Sequence, residues 1–429
     1  MSQKTKTSRR DFLRTSTAAV GAGLALQTVA NVHAAGNDVI RVGLIGCGSR
    51  RGGRGRGAAE QCIHAGPNVK LTAMGDLFKD HLEYTRNYLK KHGPEKVDVP
   101  DERCFVGFDA YKQVIDSGVD LVLLAAPPGF RPQHIEAAVA AGKHIFAEKP
   151  VAVDAPGVRR VLKACAEAKK KNLAVVSGLC WRYDDGMRAT FQRIHDGLIG
   201  EIVAMQCTYN TGSLWHVPRE EGWSDMEWQC RNWLYFTWLS GDHNVEQHIH
   251  SLDKMAWAMK DAYPSHAVGL GGRQVRTAPE FGHIFDHHSV VYEYANGVKV
   301  FSNCRQQSGC ANDVTDHIFG TLGTCDVMKH IIKGRNSWRF PRNDKKGDMY
   351  QNEHNELIAS IRSGKPIDNS DYMTKSTLMA IMGRMATYTG QRITWEQALN
   401  SEENLLPERL EFGPLPVAPV AQPGVTRFI

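Results

Sequence analysis

The first third of the chain alternates short apolar runs with stretches of helical pattern. The runs cover residues 39–45, 69–74, 119–125 and 144–147. Apolar runs of this length are typical of strands that are buried on both faces. Their alternation with helices predicts a doubly wound parallel sheet, and such sheets bind ligands in the loops at the carboxyl ends of their strands.

The pattern changes in the second half of the chain to longer strands and loops. Residues 202–209 and 290–302 are predicted strands, and the second folds back at Asn296-Gly297, a dipeptide that favours a tight hairpin turn. Later helical patterns cover residues 352–361 and 375–389. This half of the chain therefore predicts an α+β domain with a large mixed, mainly antiparallel sheet.

A glycine-rich stretch directly follows the first predicted strand. In Gly46-Cys47-Gly48-Ser49-Arg50, glycines let backbone N–H groups approach a pyrophosphate at the start of the next helix, although the third glycine of the motif is ambiguous. The second predicted strand ends at Asp76, whose carboxylate would accept a hydrogen bond from the ribose 2′-hydroxyl of NAD. Arginines in the loop favour the phosphate of NADP instead. The sequence predicts a dinucleotide site of the Rossmann type, with NAD favoured over NADP.

The predicted fold class is α/β, with two domains. An N-terminal Rossmann domain with a doubly wound parallel sheet spans residues 35–153, and a C-terminal α+β domain spans residues 154–413. Residues 414–429 are proline-rich and are predicted to form an extended tail. Residues 1–34 are assigned to a signal peptide.

One predicted helix, from about residue 243 to 260, combines an apolar stripe with a polar face. At about 100° per residue, the stripe and the polar arc lie well apart. The stripe comprises Val245, Ile249, Leu252, Ala256 and Met259, and the arc comprises His243, Glu246, His250 and Asp253. A carboxylate beside a histidine suits acid–base chemistry, so we predict His250 as the base and Glu246 as the residue that orients it. The alternatives are a divalent metal held by His243, Glu246 and His250, or a solvated face.

An aromatic-rich segment between residues 215 and 238 is the candidate substrate platform. Aromatic faces beside polar groups suit sugar rings, but the same composition equally suits an aromatic core or a subunit interface. The substrate candidates here are Trp215, His216 and Arg231, with Asp253 from the polar helix face. Arg182, Tyr183 and Arg305 are weaker candidates, suggested by their predicted loop and strand-end positions.

Charge and cysteine content exclude some functions. The formal net charge is +6, but the 52 basic and 46 acidic residues are interspersed, so no nucleic-acid-binding surface is predicted. The ten cysteines lack C-x-x-C pairs and zinc-like spacing. Most of them are expected to be buried thiols, and Cys304 and Cys310 could form a disulfide.

The N-terminus carries a candidate export signal. Ser8-Arg9-Arg10-Asp11-Phe12-Leu13 precedes a weakly apolar run, and Val32-His33-Ala34 offers small residues for cleavage. These features fit a twin-arginine signal, after which the mature protein would begin near Ala35 outside the cytoplasm. A membrane anchor is the alternative, although the apolar run is shorter than the ~20 residues that span a bilayer.

Together these motifs resemble the glucose-fructose oxidoreductase/inositol dehydrogenase (Gfo/Idh/MocA) family. The most specific part of the resemblance is Gly142-Lys143-His144 leading to Glu148-Lys149-Pro150. It implies that Lys149 contacts the reacting hydroxyl and the nicotinamide. In that family the lysine–proline peptide, here Lys149–Pro150, is often cis. The family also has an acid and a histidine four residues apart, and the histidine transfers the proton. Glu246 and His250 match that pair. The residues expected to bind the cofactor are Gly46, Gly48, Ser49, Arg50, Asp76, Pro127, His134, Glu148 and Lys149.

The resemblance implies an oxidoreductase that acts on a sugar or polyol. The predicted export constrains how its cofactor can be reoxidised. A dissociating NADH has no obvious route to reoxidation outside the cytoplasm, so the cofactor is expected to stay tightly bound. One alternative is a redox-neutral NAD-dependent glycosidase or lyase, although the glycine-rich Y-P-T-H element typical of exported relatives is absent. Another is a sugar-binding protein without chemistry. The resemblance also implies a homodimer or homotetramer through an open sheet face.

Overall fold

Six parallel strands form the first sheet in the computed structural model, which describes residues 38–50, 53–341 and 347–429. In chain order they are β1 Ile40–Ile45, β2 Val69–Asp76, β3 Cys104–Val106, β4 Leu121–Leu124, β5 His144–Ala147 and β6 Val175–Ser177. Their order in the sheet is β3-β2-β1-β4-β5-β6. This order reverses direction beside β1, as in dinucleotide-binding domains, and confirms the predicted Rossmann sheet.

Helices cover both faces of this sheet, so its central strands are buried. They are α1 Arg54–His64, α2 Lys79–His92, α3 Ala110–Asp116, α4 Arg131–Ala140 and α5 Ala155–Lys170. The next helix along the chain, α6 Asp185–His195, follows β6. Asp154 caps α5 by accepting a hydrogen bond from the Gly157 N–H at 2.8 Å. Helix α5 is the crossover that a parallel β5–β6 pair requires. Strand β6 consequently lies beyond residue 153, the predicted domain boundary.

Nine strands form the second sheet. They are β7 Ile202–Thr211, β8 His266–Gly272, β9 His287–Glu293, β10 Lys299–Gln306, β11 Asp316–Gly320, β12 Gly323–Asp326, β13 Ile331–Gly334, β14 Trp338–Arg339 and β15 Ile393–Thr394. Only β7 and β10 pair in parallel among these neighbours, so the predicted mixed, mainly antiparallel sheet is confirmed. The predicted hairpin joins β9 to β10, with Gly297 at a φ of 85°.

One face of the nine-stranded sheet packs on helices, and the other is open. The remaining helices are α7 Asp225–Arg231, α8 Thr237–Ser240, α9 His243–Glu246, α10 Ile249–Ala258, α11 Met349–Arg362, α12 Ser370–Thr389 and α13 Trp395–Asn400. Helix α12 is buried along almost its whole length, because it contacts β8 and β9 on one side and α5 and α10 on others. On the opposite face of the sheet, Leu270 and Phe301 are exposed.

The predicted continuous helix from residue 243 to 260 is wrong. The chain forms α9 and α10 instead, and the His248 N–H bonds to the His243 carbonyl five residues earlier, at 3.0 Å. Such a bond inserts an extra residue into the helical turn. The side chains that follow are therefore rotated relative to those that precede the break.

Other predictions concern the thiols and the ends of the chain. All ten cysteines are free, and Cys304 is buried whereas Cys310 is exposed, so the suggested disulfide is not formed. Residues 414–429 contain neither helix nor strand. No helix within the described ranges is long and apolar enough to cross a membrane. The predicted twin-arginine signal lies outside the described residues.

Candidate active site

A cavity of about 370 Å³ lies between the two domains, at the carboxyl ends of the parallel strands. This is where Rossmann-type sheets bind their ligands. Eight of the nine predicted cofactor-binding residues line it, namely Gly46, Gly48, Ser49, Asp76, Pro127, His134, Glu148 and Lys149. Arg50 is not part of the lining, and its guanidinium lies 5.7 Å from the centre of the Tyr84 ring.

The glycine-rich loop needs glycine for close packing as well as for its turn. Gly46 has a φ of 89°, and a Cβ atom there would lie 2.2 Å from the Ala126 nitrogen. A Cβ on Gly55 would lie 1.9 Å from the Gly46 carbonyl oxygen, so Gly55 lets α1 pack against the end of β1. Gly55 therefore takes the role of the ambiguous third glycine. It stands seven positions after Gly48, where the standard fingerprint has about three.

Asp76 joins the loop after β1 to the loop after β2. Its Oδ2 accepts a hydrogen bond from the Cys47 N–H at 2.7 Å, and its Oδ1 accepts one from the Phe78 N–H at 2.9 Å. His81 Nδ1 lies 3.5 Å from the same Oδ1. A carboxylate offers about four acceptor positions, so acceptor capacity remains for ribose hydroxyls. The side chain is thus held in place with acceptor capacity left at the cavity.

Lys149 and Glu246 meet in the cavity from different domains. The Lys149 Nζ donates to Glu246 Oε1 at 2.8 Å and to the Glu246 carbonyl at 2.5 Å. Lys149 follows β5 and precedes Pro150 across a cis peptide bond, as the family resemblance implies. Both side chains are largely buried, with 12% and 16% of their surfaces exposed. The pair presents an ammonium group and a carboxylate to the same cavity.

His250 lies just beyond this pair, on the first turn of α10, and is not part of the cavity lining. Its Nδ1 is buried without a hydrogen-bond partner among the described residues. Burial, with a smaller contribution from the Lys149 charge, holds the pKa of His250 well below its usual value. The imidazole is therefore neutral near pH 7 and has a lone pair with which to accept a proton.

The predicted four-residue polar face is not formed, because of the break between α9 and α10. His243 turns to Asp242, with Nδ1 and Oδ1 2.7 Å apart, and its ring contacts His288. His243 is therefore grouped with Asp242 and His288, and not with Glu246 and His250 as the alternative metal site required. Asp253 turns the other way, into the protein core.

Three of the predicted substrate residues are engaged within the core instead. Arg182 forms a two-pronged ion pair with Asp253, at 2.8 and 2.9 Å, and also pairs with Asp261. The Tyr183 hydroxyl donates to Asn369 Oδ1 at 2.8 Å. The structure does not bring Arg182, Tyr183 or Asp253 to the cavity.

The aromatic-rich segment contributes in part to the cavity. Trp215 and Arg231 line it, whereas His216 lies against Phe281, with ring centres 5.5 Å apart. Most of the other aromatic side chains form a buried cluster that includes Phe78 and Phe130 of the first domain, namely Trp228, Tyr235, Phe236 and Trp238. Arg305 lies in a separate, shallow polar pocket with His287 and Asn303.

Two buried charged residues near the cavity, Glu353 and Arg131, were missed in the sequence. The Arg54 Nε donates to Glu148 Oε1 at 2.9 Å, and Glu353 of α11 lies 3.7 Å from the same guanidinium. Burial, with a further contribution from Glu148, raises the pKa of Glu353 well above its usual value. Arg131 donates to the carbonyls of Ala126 and Pro150 across the base of the cavity. A helical arginine and a distant glutamate give no sequence signal for these contacts.

Comparison with known proteins agrees with this geometry. Residues 40–176 match the Gfo/Idh/MocA model, described as an oxidoreductase family with an NAD-binding Rossmann fold. An inositol 2-dehydrogenase of Serratia proteamaculans is 28% identical over 278 residues, which cover 62% of this chain and 68% of that protein. A protein of Solibacter usitatus named as glycosyl hydrolase family 109 is 30% identical over 277 residues, covering 62% of this chain and 54% of its own length.

The fold is also that of a solved relative. The crystal structure of myo-inositol 2-dehydrogenase from Lactobacillus plantarum superposes with a TM-score of 0.63 at 21% identity, covering 83% of this chain and 99% of that one. The family match covers the glycine-rich loop, Asp76 and Lys149, all of which line the cavity. Residues 40–176 thus match the Gfo/Idh/MocA oxidoreductase family with its NAD-binding Rossmann fold, and inositol 2-dehydrogenases are among the proteins to which the chain is similar.

Proposed function

We propose that this oxidoreductase acts on a secondary hydroxyl of a sugar or polyol, with NAD as a tightly bound cofactor. The observation that carries the proposal is the contact between Lys149 and Glu246 in the cavity that Asp76 and the glycine-rich loop also line. A hydrogen-bonding ammonium group and a carboxylate suit the many hydroxyls of such a substrate. The similarity to inositol 2-dehydrogenases supports the same substrate class.

The residues present fit a dinucleotide. The glycine positions leave room for a pyrophosphate beside the start of α1, and Asp76 retains acceptor capacity for ribose hydroxyls. When bound, the nicotinamide supplies the hydride acceptor at C4. The preference for NAD over NADP rests on the Asp76 carboxylate, which would repel a 2′-phosphate.

The chain itself supplies the acid–base chemistry. Lys149 donates a hydrogen bond to the substrate hydroxyl oxygen and stabilises the negative charge that develops there. The neutral His250 ring accepts the hydroxyl proton. Glu246 holds the Lys149 ammonium in place, at 2.8 Å from its carboxylate, and the carbonyl of Glu246 provides a second anchor.

The first test identifies the cofactor. The mature protein is purified without added nucleotide and denatured, and the released nucleotide is identified by chromatography and mass spectrometry. We expect close to one NAD per chain. Inositols and aldoses are then added to the intact protein, where a burst of reduced-nicotinamide absorbance identifies the substrate. A protein that contains no dinucleotide and fails to bind added NAD or NADP would refute the proposal.

Replacement of Lys149 by Met tests the catalytic assignment. Loss of the ammonium group should lower turnover by at least about 10³-fold while the dinucleotide content stays unchanged. The control is Lys112→Met, which removes an exposed lysine of the same domain that pairs with nearby Asp109 and is not part of the cavity lining. If K149M lost the dinucleotide instead, Lys149 would be a cofactor ligand or a structural residue.

A redox-neutral glycosidase is the second candidate, favoured by the similarity to the glycosyl hydrolase family 109 protein. Transient oxidation at one carbon would acidify its neighbour and allow elimination of the glycosidic bond. Water would then add to the unsaturated ketone that results, and the same hydride would be returned to the oxidised carbon. Glycosides should then be cleaved without net change in nicotinamide absorbance. Oxidation of a free sugar that stops after one turnover until a second sugar is added favours the oxidoreductase.

Export and assembly complete the proposal. Ser8-Arg9-Arg10-Asp11-Phe12-Leu13 supports export through the twin-arginine pathway, and replacement of both arginines by lysine should keep the protein in the cytoplasm in fractionation experiments.

The exposed Leu270 and Phe301 support a homodimer or homotetramer through the open face of the nine-stranded sheet.

A further inference from the structure

The second domain faces the end of the cavity where Asp76 lies. On one side the lining consists of Asp76, Leu77 and Phe78 from the loop after β2. On the other side it consists of residues around α7, namely Leu214, Trp215, Cys230, Arg231, Trp233 and Leu234. We call residues 214–234 the cover. The side chain expected to bind the adenosine ribose is thus enclosed by residues from the other domain.

Arg231 connects the cover to the first domain. Its Nη1 lies 3.2 Å from Asp80 Oδ2, at the start of α2, and its Nε donates to Glu227 at 3.0 Å. The guanidinium lies 3.9 Å from the centre of the Phe78 ring and 4.7 Å from that of Trp223. Only 16% of the Arg231 side chain is exposed. A planar cation held between two aromatic rings and two carboxylates is a specific contact that lysine could not reproduce.

Trp238, which follows the cover in the chain, connects it to the loop after β4. A Cβ on Gly129 would lie 2.0 Å from the Trp238 carbonyl oxygen, so the two backbones touch. The Phe130 and Trp238 rings pack edge to face, with centres 5.8 Å apart. The Trp238 Nε1 donates to Gln229 Oε1 at 2.8 Å, which ties this contact to α7. The cover therefore bridges two loops of the Rossmann domain.

The C-terminal segment holds α7 from outside. The Met226 N–H donates to the Gly413 carbonyl at 3.1 Å, and the Gln229 amide donates to the Leu415 carbonyl at 2.6 Å. Beside these bonds, the Phe412 ring lies 5.2 Å from Phe108 and 6.0 Å from Phe78, measured between ring centres. Both of those phenylalanines line the cavity.

We propose that the cover encloses the adenosine site, that Phe412 supports this enclosure from outside through its contacts with Phe78 and Phe108, and that Arg231 is the contact that must break before the dinucleotide can leave. This inference rests on the proposed function, because it concerns the same dinucleotide. It explains how the cofactor would be retained between turnovers. The bound nicotinamide would then have to be reoxidised in place, by a second sugar or by a later step on the same substrate.

The test measures how fast bound dinucleotide leaves the full-length mature chain. Protein loaded with radiolabelled NAD is mixed with a large excess of unlabelled NAD, and the label retained is followed over time on desalting columns. We expect Arg231→Met and Phe412→Ala to release NAD about 10- to 100-fold faster than the unmodified protein. Arg231→Lys should lie in between, because it keeps the charge without the planar fork.

Two controls match these variants. Arg160→Met removes a two-pronged arginine–glutamate pair on the Rossmann surface, and Val417→Ala removes an exposed apolar side chain from the C-terminal segment. Both should release NAD at the unmodified rate. Asp80→Asn removes the negative charge that faces Arg231 and so weakens the contact from its exposed side, where misfolding is not expected. It should accelerate release several-fold even if R231M does not fold.

The outcomes separate this inference from the proposed function. Equal release rates in R231M, F412A, D80N and both controls would overturn the role of the cover while leaving the oxidoreductase assignment intact. An unmodified protein that binds no dinucleotide would overturn both. Faster release from D80N, whose substituted residue lies outside the cavity lining, with unchanged single-turnover oxidation of bound substrate would support the cover as a retention device rather than part of the chemistry.

Discussion

Buried histidines are the residues whose charge the fold controls most strongly. Burial lowers the pKa values of His134, His248 and His354 to about 3, and those of His243 and His283 to about 4. These imidazoles stay neutral in the folded chain at mildly acidic pH, whereas each takes up a proton in the unfolded chain below about pH 6.5. Folding is therefore expected to become less favourable as the pH falls from 6.5 towards 4.

His354 offers a clean test of that expectation. Both of its ring nitrogens are buried without hydrogen-bond partners in the described part of the chain, and its ring centre lies 4.2 Å from that of Phe146. The unmodified chain takes up one proton at His354 when it unfolds at acidic pH, and His354→Leu abolishes that uptake. Between pH 6 and 4.5 the free energy of unfolding of H354L should therefore fall less steeply than that of the unmodified protein, by up to about 1.4 kcal/mol per pH unit. Urea titrations across this range measure the slope.

The pH range above 7 serves as the internal control, because the imidazole is neutral there in both the folded and unfolded chains. The unmodified protein and H354L should then have parallel stability profiles. Equal slopes below pH 6 would mean that His354 is protonated in the folded chain.

The residues that sequence predicted well are those beside a strand end. Gly46, Asp76 and Lys149 each follow an apolar run by a few residues, so their places in a parallel sheet follow from local pattern alone. Glu353 and Arg231 had no such signal for their roles. Each meets its partner, Arg54 or Asp80, across more than a hundred residues of chain, and that contact exists only because the two domains pack together.

At the scale of elements, the helix from residue 243 to 260 shows the limit of periodicity. The apolar positions Val245, Ile249, Leu252 and Ala256 are all buried, as the stripe predicted. The same stripe fits two helices with an extra residue between them, because both arrangements bury these side chains. The directions of the polar side chains do differ between one continuous helix and two helices. His243 and Asp253 consequently lie away from Glu246.

Asp242 is the residue that fixes the start of α9. It has a φ of 78° and a ψ of 160°, a conformation that residues other than glycine adopt only under strain. Its Oδ2 accepts hydrogen bonds from the Tyr388 hydroxyl at 2.5 Å and the Phe285 N–H at 3.0 Å. Although burial alone would raise the pKa of Asp242, its two histidine neighbours hold it well below the usual value.

Substitution of Asp242 should separate the strain from the hydrogen bonds. Both Asp242→Ala and Asp242→Gly lose the buried acceptor, at a cost of about 3 kcal/mol or more. The alanine variant keeps the backbone strain and should be less stable than the glycine variant by about 1–3 kcal/mol. Urea unfolding at pH 7 measures the difference. Equal stability of the two variants would mean that the backbone relaxes at this position.

At the scale of the whole molecule, two sheets are joined through one buried helix. Helix α12 lies between the nine-stranded sheet and α5 of the Rossmann domain, so the sheet has a covered inner face. On the inner face, Ala267, Tyr292 and Val300 stand opposite one another and are fully buried. Sequence predicted the sheet and its hairpin, but not the parallel β7–β10 pair, because those strands are about ninety residues apart.

The outer face of that sheet leads to the last prediction. Val268, Val291 and Phe301 stand opposite one another there, and 46% of the Phe301 surface is exposed, as is 66% of Leu270 nearby. If this face joins copies of the chain, Phe301→Glu and Leu270→Glu place a charge in an apolar contact and should shift the assembly to monomers. Size-exclusion chromatography with light scattering measures the mass, and Val425→Glu at an exposed site in the tail is the matched control. The dinucleotide content should not change, because the helices on the inner face separate this surface from the cavity. A protein that is monomeric before substitution, or variants that keep the original mass, would show that the open face is not the interface.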